Sequence, residues 1–159
     1  MKTKTNINWP LALAGLANIL ISLLHLAILL IGSHAYAYFG APSSFVLHPH
    51  SIPTIVSMLM LTSFFLLIGF YAFCGAGILN RWVFTKTVLV FIGLVYTLRG
   101  SVIVLYPFPG LAQKVMTVLP IFLKQTRPMQ THDWLFTLIA LIIGVCYLYG
   151  ANRLKQPYQ

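Results

Sequence analysis

The stretch VFTKTVLVFIGLVYTLRGSVIVLY, residues 83–106, carries two basic side chains, Lys86 near its start and Arg99 deep inside it. A bilayer's hydrocarbon core needs about 20 residues of helix to cross, and this run is long and apolar enough to do so. An arginine at such depth is costly and faces protein or a water-filled cavity rather than acyl chains. Residues 83–106 are therefore expected to be a membrane-spanning helix, with Arg99 marking where a polar site would be.

Composition agrees. The chain has 159 residues, 59% of them hydrophobic and 7% charged, with a mean hydropathy of +0.89. Soluble domains carry roughly 25% charged residues. The formal net charge of +9 comes from basic residues scattered mostly at segment ends, with no clustered or aromatic-interleaved stripe, so no nucleic-acid partner is expected. Cys74 and Cys146 lie in apolar segments without CxxC spacing and read as buried thiols.

Three more segments match the required length: residues 9–31, 52–79 and 134–151. Lys2 and Lys4 precede the first, and Ala35-Tyr36-Ala37 imitates a signal-peptidase site. Its apolar region nevertheless exceeds the ~7–15 residues of a signal peptide, and Asn18 and His25 interrupt it, so an uncleaved helix is expected. In the short connections Lys2, Lys4, Arg81, Lys86, Arg153 and Lys155 fall on one side, against Lys114, Lys124 and Arg127 on the other. Six against three places both termini and the Asn80-Arg81 turn in the cytoplasm. Aromatic belts match, with Trp9, Trp82, Tyr147 and Tyr149 near the inner face and Tyr36, Tyr38, Tyr106 and Trp134 near the outer.

The expected fold is all-α: one multi-pass integral membrane domain over residues 1–159, an up-down bundle of four transmembrane helices. The short connection between the second and third helices makes them an antiparallel hairpin. Of the outer loops, 32–51 reads as a folded cap on the membrane surface. The other, 107–133, contains an apolar stretch, 110–124, suited to a short interfacial helix or a re-entrant dip.

All five histidines (His25, His34, His48, His50 and His132), Arg99 and the one acidic residue, Asp133, fall in the outer half or outside. His25 and Arg99 each lie about seven residues, or ~10 Å, below the outer end of their helices, so they can share a depth. The first helix bears a stripe of Gly15, Asn18, Ser22, His25, Leu29 and Gly32. Gly93, Tyr96, Arg99 or Gly100, and Ile103 mark the third, and Thr137, Ala140, Gly144 and Ala151 the fourth. Such stripes face protein. They serve as helix-packing glue, or they line a ligand pocket around His25, Tyr96 and Arg99.

Arg99 either snorkels to the outer interface and touches nothing specific or has a partner, and the Cα–Cβ bond, tilting toward the helix N-terminus and away from that interface, favours a partner. Asp133, at the start of the fourth helix, is the one carboxylate on offer; His25, Tyr96 and an anionic lipid headgroup are the other candidates. His48-Pro49-His50 has ligand types suited to zinc or copper, without a metal-site signature. A b-type haem needs two facing axial imidazoles, and His25 alone is clearly embedded. There is no GxSxG or HExxH, and one carboxylate provides no acid–base pair. The sequence names no cofactor.

The segments Ser22-Leu-Leu-His25-Leu, His48-Pro49, Tyr71-Ala-Phe-Cys-Gly-Ala-Gly77 and Tyr96-Thr-Leu-Arg99-Gly100 resemble a group of small four-helix bacterial inner-membrane proteins with no settled activity. The resemblance covers roughly the first 110 residues and implies fold and location only. A remoter likeness to DoxX-like proteins rests on size and helix count. The expected function is non-enzymatic binding of a small molecule, lipid or membrane-protein partner through a polar site in the outer half, formed by His25, Tyr96, Arg99 and Asp133. A structural subunit of a larger membrane complex, and a metal-dependent membrane enzyme using His48 and His50, are the alternatives.

Overall fold

A computed structural model describes residues 7–80, 82–101 and 131–154, the last segment with side chains from Trp134 onward. Among the described residues there are six helices and no strand: α1 Trp9–Ile31, α2 Ser33–Tyr38, α3 Ser43–Leu47, α4 Ile52–Ala76, α5 Thr85–Ser101 and α6 Thr131–Asn152. Prolines sit in the first turns of α1 and α4, where a missing N–H removes no helical hydrogen bond.

Helix α4 ends three residues before the expected Leu79. Gly77 enters the left-handed region at φ +79°, its N–H donates to Cys74 O (3.3 Å), and the Ile78 N–H donates to Phe73 O (3.1 Å). This double bond pattern stops a helix at a residue without Cβ strain. Helix α5 starts at Thr85 rather than Val83, because the Thr85 hydroxyl donates to Trp82 O (2.6 Å) and holds the preceding turn. Helix α6 starts about one turn earlier than expected. The expected end of the third helix after Ser101 and the surface helix at 110–124 lie outside the described residues.

Among the described residues three helices are long and apolar enough to cross a membrane: Trp9–Ile31, Ile52–Ala76 and Trp134–Asn152, with hydropathies of 2.3, 2.1 and 2.0. No more than a third of each is buried within the fold. Leu30, Ile52, Met60 and Phe91 are among the side chains that point outward. A surface this apolar is untenable in water and suits acyl chains, so the chain has the build of a multi-pass membrane protein. Helix α5 is described over 17 residues.

Helix α1 packs chiefly on α4, and α5 chiefly on α6; α1–α6 and α4–α5 contacts join the two pairs. The α4–α5 connection makes those helices neighbours, but their intimate partners are chosen by glycines. A Cβ on Gly15 would stand 3.1 Å from Gly69 O of α4. On the other pair, a Cβ at Gly100 would stand 2.5 Å from the Leu141 backbone, and one at Gly144 would stand 2.6 Å from Thr97 N. These contacts run in opposite chain directions, so both pairs are antiparallel.

At one end Asn8 ties the start of α1 to the ends of two other helices. Its N–H donates to Ala76 O (3.0 Å) and its Nδ2 donates to Gly150 O (2.8 Å). The main core lies toward this end, built from Leu11, Ala14, Ala72, Leu89, Tyr147 and Ala151 among others. At the opposite end, residues 32–51 fold as the pair α2–α3, and Tyr36, 1% exposed, packs with Ile28 and Met58.

Gly100→Ala and Gly144→Ala should each destabilise the fold by about 1–3 kcal/mol through backbone overpacking, read as a lower unfolding midpoint in detergent. Gly77→Ala, with nothing within 4 Å of the added methyl, should cost only about 1 kcal/mol through its left-handed φ.

Candidate functional site

The small-and-polar face of α1 meets α5 and α6 at Asn18, which is 0% exposed. Its Nδ2 donates to Ala14 O (2.9 Å) and to the Tyr147 hydroxyl (2.8 Å), and its Oδ1 accepts from the Tyr96 hydroxyl (2.6 Å). The Tyr96 and Tyr147 rings stack with centroids 6.0 Å apart and planes 18° from parallel. One amide thus joins three helices with both donors and its oxygen in use. One turn on, the Ser22 hydroxyl donates to Thr62 O of α4 (3.0 Å). Asn18 and Ser22 are helix glue in the plain sense.

Above this network the helices separate around a cleft of about 650 Å³. His25 of α1, Tyr96 and Arg99 of α5, Phe65 of α4, and Ile139 and Ile143 of α6 are among its lining residues. Helical periodicity explains the set: Tyr96 and Arg99 are three apart on one face, as are Phe136 and Ile139, with Ile143 four further on. The His25 ring lies 5.0 Å from that of Phe65, centroid to centroid, and its Nδ1–H donates to Ile21 O (2.7 Å). That bond leaves Nε2 as the nitrogen not engaged by α1.

Arg99 is half-buried, and its Nη1 is fully buried with no hydrogen-bond partner among the described residues. Leaving such a donor unsatisfied costs on the order of 1–3 kcal/mol, more for a charged group. The cleft therefore brings a cation, an imidazole and a phenol to one largely hydrocarbon-lined space. That arrangement can hold a polar or anionic group by hydrogen bonds.

Of the residues expected at the site, the structure brings His25, Tyr96 and Arg99 together. The side chain of Asp133, and with it the expected Arg99–Asp133 pair, lies outside the described residues, as does that of His132. His48 and His50 sit at the α2–α3 end, in the turn before α4, where His48 O accepts from the Thr54 hydroxyl (3.0 Å). Among the described residues no three metal-binding side chains come together. Tyr147, expected in an aromatic belt, is instead completely buried, since it continues the Thr137, Ala140, Gly144 face of α6. Phe39 and Phe65 come from segments whose apolar residues carry no periodic mark of a site.

Asn18→Ala should strand both tyrosine hydroxyls and open a small cavity, lowering stability by about 1–2 kcal/mol, the upper range for polar contacts within membranes. Tyr147→Phe, which removes one bond and keeps the ring, should cost less than half as much. Denaturant titration in mixed micelles reads both.

No protein family, curated protein or solved structure matches the chain.

Proposed function

We propose that this chain is a protein of the bacterial inner membrane that crosses the bilayer four times, with both termini cytoplasmic, and binds a lipid or lipid-like small molecule in the cleft between α1, α5 and α6. The observation that carries this reading is the meeting of His25, Tyr96 and Arg99 in one cleft of about 650 Å³ with otherwise apolar walls. Binding sites for small molecules are commonly clefts of ~300–1,000 Å³, mostly hydrophobic, with a few convergent polar groups. The orientation is supported by the excess of basic residues in the connections near Asn8, Ala76 and Gly150, three positions that the fold gathers at one end. The cleft then lies toward the periplasmic leaflet.

Native mass spectrometry of the protein extracted gently from its own membrane should find a defined extra mass of a few hundred daltons. Ala17→Trp or Ala140→Trp, each filling the cleft from its wall, should abolish that mass while the protein still elutes as a monodisperse species. A bare wild-type chain, or one recovered only with another polypeptide, would replace this reading with that of an accessory subunit. Alkaline phosphatase fused after Ser43 should be active and the same fusion after Asn80 inactive; the reverse would invert the topology.

A further inference from the structure

The geometry points to an anionic single-chain amphiphile as the ligand, its carboxylate or phosphate on Arg99 and its tail in the groove between α1 and α6, entering sideways from the bilayer. This rests on the cleft-binding reading above and adds the ligand's charge, shape and route.

Charge comes first. The whole chain holds one carboxylate side chain, Asp133, and no ion pair engages Arg99 among the described residues. Its buried Nη1 has no acceptor among the described residues, and its guanidinium, a planar fork that matches carboxylate and phosphate oxygens, lines the cleft. An oxyanion in the cleft supplies the missing charge to the side of the guanidinium that lines it. His25 supports the same group: with Nδ1–H committed to Ile21 O, Nε2 can accept from an acidic O–H or, protonated, donate to an anionic oxygen.

Shape follows from the walls. Beyond the three polar side chains the lining is apolar, including Leu20, Leu24, Ile139 and Ile143. A free inorganic anion would leave most of that surface uncovered, whereas an alkyl chain covers it at ~0.8 kcal/mol per buried methylene. The route follows from exposure. Leu20 is 57% exposed, Leu24 36% and Ile139 38% while lining the cleft, so the mouth opens on the outer surface between α1 and α6. Toward the α2–α3 cap, Phe39 meets Phe136 with ring centroids 5.6 Å apart, narrowing the approach from the cap side.

The test compares dodecanoate, dodecyl phosphate, dodecanol and inorganic phosphate on purified protein in an uncharged detergent, by calorimetry, with Arg99→Gln and Arg99→Lys alongside. Dodecanoate and dodecyl phosphate should bind one per chain, at least about tenfold tighter than dodecanol, as expected of a charge-assisted bond. Arg99→Gln should bring them to the level of the alcohol, and Arg99→Lys should restore part of the difference. Equal binding of dodecanol and dodecanoate to the unaltered protein would overturn the anionic assignment and leave a cleft that binds neutral hydrocarbon. Inorganic phosphate binding as tightly as dodecyl phosphate would overturn the tail and the lateral route. Binding by none of the four, with no extra mass on the native protein, would bring down the cleft reading as well. The ligand series on the unaltered protein decides these outcomes even if Arg99→Gln fails to fold.

Discussion

The amide of Asn18 is the contact on which the arrangement of α1, α5 and α6 depends. In an apolar interior an unpaired amide costs several kcal/mol, so the helices are held wherever its two N–H groups and its oxygen are all answered. They are answered by Ala14 of its own helix, Tyr147 of α6 and Tyr96 of α5. The three helices are thereby locked at a common level, and the phenol rings stacked beside the amide form a partition across the interior. Between that partition and the Asn8 end the packing is close; toward the cap it opens into the cleft. Tyr96 belongs to both, donating inward to Asn18 while lining the space above it.

The two halves differ because of residue size. The α5–α6 approach runs through Gly93, Gly100 and Gly144, each with a neighbour too close for a Cβ, and van der Waals contact between backbones is the main attraction left to helices in lipid. The α1–α4 approach at Gly15 and Gly69 is tight but less extreme, a Cβ on either standing 3.1 Å from the facing carbonyl oxygen. No comparable close pair joins α1 to α6 at the level of Leu24 and Ile139, both partly exposed, so that seam gapes.

Much of this was readable beforehand. An all-helical chain with long apolar helices follows from composition and run length, and the stripe through Asn18, Ser22 and His25 identified the packed face of α1. The convergence of His25, Tyr96 and Arg99 was legible because depth along a helix follows from residue count. Tyr147 was misplaced because a tyrosine near a helix end satisfies a belt and a core equally well until its partner across 129 positions of sequence is known. Helix ends at Ala76 and Thr85 turned on local hydrogen bonds that hydropathy does not encode. The walls contributed by Phe39 and Phe65 escaped for a related reason: in a chain this apolar, one more phenylalanine carries no signal about which way it points.

Asn8 engages the ends of α4 and α6 from the first residue before α1, and the mechanical consequence is that of a pinned lever. Helix α1 is roughly 35 Å long at 1.5 Å per residue. The Asn18 and Ser22 bonds hold its middle as a second pin, so a bend of about 5° confined to the ~14 Å from Ser22 to Ile31 swings the outer end by about 1 Å while both pins hold. A change in the outer two turns of α1, beyond Ser22, would therefore alter the width of the mouth without disturbing the Asn8, Asn18 and Ser22 bonds.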